Sequence, residues 1–292
     1  MKNKKRERIH TISLKEQIRD HKGLFFVYVL LRTSVVLIMI AQIFNKDWES
    51  VFFCALALVL MLIPSFIERN WHIDIPDTLE IIVICFIYAA EILGELRAYY
   101  INVPFWDTML HTITGFLAAA VGFSLCDILN RNDRIKFNLS PLFLAFVAFC
   151  FSMTVGVIWE FFEFGMDYFT GSDMQKDFII NSIHTTLLDP TKSNRVVHLT
   201  GITDVTLNGT TDLGLGGYID IGIIDTMKDL FVNFIGAVVF SFIGFFYTKS
   251  RGKGRFARRF IPTMKMEEYK IAKAHKAEVK AEKIKDKKEK NR

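Results

Sequence analysis

Cysteine is scarce in this sequence, and the four cysteines that occur are scattered singly through apolar stretches. None belongs to a CxxC pair, so Cys54, Cys85, Cys126 and Cys150 are expected to be small buried side chains. This pattern excludes a disulfide framework. The basic C-terminal tail has no interleaved aromatic residues and no recognisable binding module, which argues against a nucleic-acid partner.

Three other signatures are missing from the sequence. It has no internal repeat and no matched pair of interrupted hydrophobic segments, which many secondary transporters show. It has no HExxH metal motif. The first apolar run is longer than the apolar core of a cleaved signal peptide and has no small-residue cleavage site, so we expect it to be retained as a helix.

Apolar residues are abundant instead. They make up 51% of the chain, 28 of them are phenylalanine, and the mean hydropathy is +0.27. They cluster into runs long enough to cross a bilayer, where the backbone must satisfy its own hydrogen bonds and therefore forms helices. We predict an all-α, polytopic transmembrane bundle with six spans. The spans are expected at residues 24–44, 51–67, 79–96, 105–129, 141–164 and 230–247.

The distribution of charge predicts the orientation of the spans. Residues 1–23 carry eight Lys and Arg against three acids, and residues 249–292 carry seventeen against six. Basic ends beside an apolar body indicate cytoplasmic termini. The membrane domain would thus occupy residues 24–248, between a basic N-terminal segment and a basic cytoplasmic tail. The bilayer is the expected partner, with anionic lipid at the tail.

The longest segment between predicted spans covers residues 170–224. It contains six Asp and only three Lys or Arg, which suits the extracytoplasmic side. Short β-like pieces occur at residues 195–200 and 204–207, with turn signals at Asn208-Gly209 and Gly216-Gly217. The sequence leaves open whether this segment is a small ordered cap or a flexible loop.

Ionisable residues also occur within the predicted spans, where they are costly and usually face the bundle interior. They are spaced three or four residues apart, so the members of each set share a helix face. The sets are Asp107 with His111 in the fourth span, Glu160 with Glu163 in the fifth, Asp225, Asp229 and Asn233 at the start of the sixth, and Glu91 with Glu95 in the third. Because alternate spans run in opposite directions, the topology brings all four sets to one depth near the extracytoplasmic face.

These polar sets predict a cation site. Several carboxylates within a few ångströms cannot all stay ionised without a cation or bound protons. A single histidine among acids is a hard, oxygen-rich donor set, which favours Mg²⁺, Mn²⁺ or Fe²⁺ over Zn²⁺. The leading hypothesis is a divalent-metal site that acts on lipid or envelope precursors. Its predicted ligands are Asp107, His111, Glu160, Glu163 and Asp229, with Asp225 and Asn233 orienting them and Glu95 as the candidate catalytic base.

Other interpretations stay open. The same acids would serve an ion- or proton-coupled transporter, or would only pack helices in a structural or accessory membrane protein. Asp225 could simply cap its helix, Glu95 could pair with Arg97, and Asp167 could be solvated at the interface. Arg32 lies about a third of the way into the first span. It would either extend to the cytoplasmic interface or face a polar cavity or a lipid phosphate.

Six stretches carry a resemblance to a known family: LGEL at 93–96, PFWDTMLHTITGF at 104–116, WEFFEFGMD at 159–167, DMQ at 173–175, DTMKDLFVNFIGA at 225–237 and YVLLRTSVVLIM at 28–39. In these stretches the sequence resembles the YjdF-like family of uncharacterised multi-pass bacterial inner-membrane proteins. A weaker likeness extends to VanZ-like membrane proteins, which show a similar order of Asp/His, Glu and Asp…Asn helices. The resemblance implies a location in the bacterial cell membrane and directs attention to the same acids, but it supplies no reaction.

Overall fold

A computed structural model describes residues 21–71, 73–130, 139–250 and 254–264. The predictions for the rest of the basic N-terminal segment, for the loop at 131–138 and for most of the basic tail lie outside the described residues. The chain divides into two compact units. The first comprises residues 1–106, 123–145 and 243–292, and the second comprises residues 107–122 and 146–242.

The described residues are mostly helical. In chain order the elements are α1 (Lys22–Asn45), α2 (Trp48–Leu60), α3 (Ile63–Trp71), β1 (Ile73–Asp74), α4 (Asp77–Ile87), a π-helical segment (Tyr88–Leu96), α5 (Tyr99–Asn102), α6 (Trp106–Asn130), α7 (Pro141–Thr170), β2 (Ile179–Ile180), β3 (Ser182–Thr185), β4 (Val197–Thr200), β5 (Thr206–Leu207), β6 (Thr211–Asp212), β7 (Tyr218–Ile219), α8 (Ile223–Lys249), a 3₁₀ turn (Ala257–Arg259) and β8 (Thr263–Met264).

Five helical stretches are long and apolar enough to cross a membrane: α1, Trp48–Trp71, α6, α7 and α8. They correspond to five of the six predicted spans, and the predicted class of transmembrane helical protein is confirmed. The predicted third span is also helical, but it consists of 11 residues in α4 followed by 9 in the π-helical segment. Large apolar side chains such as Leu37, Phe52 and Phe146 are exposed on these helices, as lipid-facing positions require.

The first unit has its own apolar core, in which α1 and α2 pack with α4 and the π-helical segment. The buried side chains of this core are Val35, Cys54, Ala57, Met61, Ile84 and Ile92. Close to it, α2 ends at Leu60 and a new helix begins at Ile63. Pro64 follows at the start of α3, where its missing N–H is tolerated.

Arg32 has a partner at this helix break. Its Nη2 donates a hydrogen bond to the carbonyl oxygen of Met61 at 2.7 Å, and its guanidinium lies 4.4 Å from the centre of the Tyr28 ring. The Tyr28 hydroxyl in turn donates to the buried Glu80 carboxylate at 2.7 Å. Arg32 therefore binds within the protein, which favours a structural role over extension to the interface.

In the second unit, the segment that follows α7 and precedes α8 in the sequence contains short, separate pairs of strands. Its three described strand pairs are antiparallel: β2 with β7, β3 with β4, and β5 with β6. The β-like pieces expected near residues 195–200 and 204–207 appear as β4 and β5, shorter than predicted. The structure thus gives this segment local order, the first of the two alternatives left open by the sequence.

Candidate functional site

His111 is the centre of a polar cluster in the second unit, which comprises Asp107, His111, Glu160, Glu163 and Asp229. Helix α6 begins at Trp106, so Asp107 lies in its first turn and His111 one turn later. The predicted i, i+4 pairing is present, since Asp107 Oδ1 lies 3.5 Å from His111 Nε2. Capping of α6 therefore does not account for Asp107 by itself.

Helices α7 and α8 supply the other members of the cluster. Asp229 Oδ2 of α8 lies 3.8 Å from His111 Nε2, and Glu160 Oε1 of α7 lies 3.9 Å from His111 Nδ1. The imidazole therefore has a carboxylate facing each ring nitrogen. The five predicted ligands fall into two groups that share His111, one with Asp107 and Asp229 and one with Glu160 and Glu163.

Both groups have dimensions close to those of a metal site. Within each group, one donor atom per residue lies within 4.8 Å of the others. Ligands bound to Mg²⁺ or Mn²⁺ at about 2.1 Å are about 3.0 Å apart when adjacent and about 4.2 Å apart when opposite, so side-chain movements of about an ångström would close either group on an ion.

The carboxylates of this cluster are buried, and their hydrogen bonding is incomplete. Glu160, Glu163 and Asp229 are 4%, 8% and 3% exposed. Glu163 accepts a hydrogen bond from the Trp159 indole at 2.9 Å, whereas both oxygens of Glu160 are buried without a hydrogen-bond partner in the described structure. Within the part of the chain that the structure describes, no Lys or Arg forms an ion pair with these acids. A buried carboxylate in this condition is costly unless a proton or a cation joins it.

Asn233 extends the polar layer one turn further along α8. Its Nδ2 makes long contacts with the carbonyl oxygen of Ser152 at 3.4 Å and the sulfur of Met153 at 3.6 Å. Its Oδ1 is buried without a partner among the described residues. Asn233 thus carries an unsatisfied acceptor one turn from Asp229, and its orienting role stays a prediction.

Two glycines allow α6 and α8 to approach closely here. A β-carbon on Gly115 would overlap the carbonyl oxygen of Asn233, and one on Gly236 would overlap the carbonyl oxygen of Thr112. Such contact between helix backbones is typical of small residues at membrane helix interfaces. It brings the first turns of α6 and α8 together, and with them the imidazole and Asp229.

Two predicted polar residues fix a loop at the edge of the cluster. Asp225 Oδ2 accepts a hydrogen bond from the backbone N–H of Lys176 at 2.8 Å, so it does not serve simply as a cap of α8. Asp167 accepts from the backbone N–H groups of Met174 and Gln175 at 2.6 and 2.8 Å, and is therefore bound rather than merely solvated. Together they fasten the segment at 172–178 to both helices.

Asp220 fastens the other end of the same segment. It accepts hydrogen bonds from the backbone N–H groups of Phe178 at 2.6 Å and Ile224 at 2.8 Å. Burial by itself raises the pKa of Asp220, but these backbone donors outweigh it and hold the pKa below its ordinary value. Asp220 thus holds this end of the loop as an ionised carboxylate.

Gln175 and Thr226 are site residues that the sequence interpretation missed. Gln175 Nε2 donates to Thr226 Oγ1 at 2.5 Å, and both side chains are neighbours of Glu160. The DMQ stretch at 173–175 contains Gln175 and is part of the family resemblance. The resemblance does not indicate which residues Gln175 contacts. Glu91 and Glu95 lie in the π-helical segment of the first unit, so a part for Glu95 in the cluster stays a prediction.

Comparisons with known proteins agree with the membrane assignment. A curated relative, described as an uncharacterised protein of Thermotoga maritima, is 25% identical over 104 residues, which cover 36% of this chain. The match spans about half of that relative's length, 52%. No solved structure matches the chain. A family model described as "Predicted membrane protein (DUF2238)" matches residues 27–250. The chain therefore belongs to the DUF2238 family of predicted membrane proteins and is a multi-pass membrane protein.

Proposed function

We propose that this protein binds a divalent cation in the cluster around His111 and uses it for hydrolysis or group transfer on a lipid or envelope precursor. The observation that carries the proposal is the group of carboxylates around one buried imidazole, with Asp107 and Asp229 facing Nε2, Glu160 facing Nδ1 and no Lys or Arg paired with them among the described residues. Carboxylate oxygens around one imidazole are donors suited to Mg²⁺, Mn²⁺ or Fe²⁺. Removal of the ion would leave an uncompensated negative cluster.

The two ring nitrogens of His111 would have different roles, one towards the cation and one towards a carboxylate. An imidazole offers one nitrogen to a given ion, and we place the ion at Nε2, between Asp107 and Asp229. The Asp107 side chain is 31% exposed, so this side of the ring leaves coordination positions open to water or substrate. Nδ1 then carries the proton and donates it towards Glu160, as metal-bound histidines commonly do to a carboxylate.

A cation held in this way suits reactions at phosphoryl or acyl groups. Held by Asp107, His111 and Asp229, such a cation would supply a Lewis acid for a substrate oxygen and would activate a water molecule. The site lies in the first turns of two membrane helices, a location that a lipid headgroup reaches more easily than a cytoplasmic metabolite does. Glu95 stays the candidate base predicted from the sequence.

The topology belongs to the same proposal: six spans, both termini inside and the cluster near the extracytoplasmic face. In support, α4 and the π-helical segment are consecutive helices of 11 and 9 residues, about the length of a span. Labelling of single cysteines by an impermeant thiol reagent in whole cells tests it. A cysteine at Asn194 should react from outside and one at Lys249 should not, and the reverse pattern would overturn the orientation.

The binding step is tested with Mn²⁺, whose paramagnetic signal reports free and bound ion. Purified wild-type protein should bind Mn²⁺ and gain thermal stability from it. The double variant Asp107→Asn/His111→Ala and the near-isosteric Asp229→Asn should lose both effects. A matched control, His21→Ala/Asp204→Asn, removes an exposed imidazole and an exposed acid elsewhere and should behave as wild type.

Three outcomes contradict the proposal. Mn²⁺ affinity in Asp229→Asn equal to that of wild type would exclude the cluster as the site. A wild-type protein that binds no cation but takes up protons would favour the transporter interpretation. Where the cation does bind, lipid phosphates and esters are the substrates to assay. Activity in Glu160→Gln/Glu163→Gln equal to that of wild type would remove the catalytic part of the proposal.

A further inference from the structure

The β3–β4 hairpin of the second unit holds a pair of histidines that the cluster does not use. In its antiparallel register His184 is directly opposite His198. Both side chains are exposed, and their ring centres are 4.7 Å apart. The two Nδ1 atoms lie 2.8 Å from each other, so both nitrogens point at one spot between the strands.

This contact has the dimensions of a chelate. A direct Nδ1–Nδ1 hydrogen bond needs a proton on one nitrogen and a lone pair on the other. Two imidazoles on one transition-metal ion, each at about 2.0–2.1 Å, have nitrogens about 2.9 Å apart at a right angle and about 3.4 Å apart at a tetrahedral angle. Replacement of the shared proton by an ion would therefore separate the two nitrogens by at most about 0.6 Å, together with a rotation of the rings that turns both lone pairs towards the ion.

The connection between the two strands is held in place by a buried acid. Asp189 accepts hydrogen bonds from the Thr191 hydroxyl at 2.6 Å, from the Thr191 backbone N–H at 2.9 Å and from the Arg195 backbone N–H at 3.0 Å. Because these bonds fix the connection, the two imidazoles meet without a large loss of chain entropy, which is the condition for tight binding by few ligands.

We propose that His184 and His198 form a second metal site, for a transition-metal ion that prefers imidazole. The donors differ from those of the cluster, since both are nitrogen and the described residues place no third ligand with them. Water would complete the coordination. Imidazole donors suit Cu²⁺, Ni²⁺ and Zn²⁺, with Cu²⁺ bound most tightly in the usual order of stability. The proposal does not depend on the function proposed for the cluster.

Titration of the full-length purified protein with Cu²⁺, followed by electron paramagnetic resonance, tests it. Wild type should bind one tight equivalent with a nitrogen-coordinated signal. His184→Gln and His198→Gln should each lose that equivalent, because either change leaves a single imidazole. The control His21→Gln, which removes an exposed histidine paired with Asp77, should keep it.

The two proposals fail separately in this design. Asp107→Asn/Asp229→Asn, which dismantles the cluster, should keep the tight Cu²⁺ equivalent, and His184→Gln should keep Mn²⁺ binding. Wild-type Cu²⁺ affinity in either hairpin variant, with its fold confirmed by an unchanged thermal transition, would overturn the second site. A tight Cu²⁺ equivalent that disappears with the cluster variant would overturn it as well.

Discussion

The polar groups around Arg32 in the first unit and around His111 in the second differ in how closely they are bonded. In the first, Tyr28 donates to Glu80 and Arg32 donates to the Met61 carbonyl, both at 2.7 Å. In the second, the imidazole of His111 has carboxylates only at 3.5 to 3.9 Å, and Glu160 has no hydrogen bond among the described residues. The hydrogen bonds of Tyr28 and Arg32 link α1 to α4 and to the α2–α3 break, although Arg32 Nε is buried without a partner among the described residues. In the proposed function, a cation would complete the longer contacts around His111.

The largest expected effect on stability comes from removing the hydrogen bond of Arg32 in the first unit. Arg32→Leu leaves the Met61 carbonyl at the α2–α3 break without its donor, and the loss of a charged hydrogen bond of this kind costs about 2 kcal/mol. Thermal or denaturant unfolding in detergent measures the change. Arg69→Leu, the same substitution at an exposed position of α3, should be close to neutral. Equal stabilities of the two variants would instead support extension of Arg32 to the cytoplasmic interface.

A smaller effect is expected from a matched pair of substitutions, one in each unit. Glu80 and Glu160 are both 4% exposed, and Glu→Gln keeps the shape of each side chain while it removes the charge and replaces one acceptor oxygen with an NH₂ donor. Glu80→Gln weakens the bond from Tyr28 and should destabilise the protein by about 1 kcal/mol. Glu160→Gln removes an uncompensated buried charge and should stabilise the metal-free protein by about 1 kcal/mol while it weakens Mn²⁺ binding.

Metal-free unfolding of these two variants measures the sign of each change. A fall in stability for both would mean that Glu160 already has a partner in the folded protein. Glu160 would then have a structural role like that of Glu80.

The smallest expected effect concerns Asp189, an acid whose hydrogen bonds come from its own loop. The Thr191 hydroxyl and neighbouring backbone N–H groups lower the pKa of Asp189 from 3.8 to about 2. The carboxylate therefore stabilises its loop above about pH 4, and this contribution is lost as the pH falls towards 2. Hydrogen exchange of the 186–196 peptide between pH 5 and pH 2 should show the loss. Asp189→Asn should remove this pH dependence, whereas Asp204→Asn should preserve it.

Local periodicity was enough to predict the helices and the pairs within the cluster. Asp107 and His111 are one turn apart on the same helix, so their proximity follows from sequence spacing alone. The long apolar runs likewise located five spans, since bilayer thickness sets the length of a spanning helix. The π-helical winding at Tyr88–Leu96 has no comparable signal, because it depends on how the helix packs rather than on its composition.

Partners that are distant in the chain could not be predicted. Asp225 binds the backbone of Lys176, and Arg32 binds the carbonyl of Met61 at a helix break. Backbone donors and acceptors are present at every position, so the sequence does not indicate which one a side chain will find. The same holds for His184 and His198, whose meeting depends on the register of a hairpin.

The contact between α6 and α8 has a consequence for the recognition of distant relatives. Positions 115 and 236 admit no side chain while the two helices cross as they do, whatever ligand the cluster holds. A remote homologue that keeps both glycines, each at its distance from the acids of its own helix, should share the geometry around the imidazole even where the acids differ. A homologue with larger residues at these two positions should have a greater distance between the two helices, and therefore a different site geometry, however similar the rest of its sequence is.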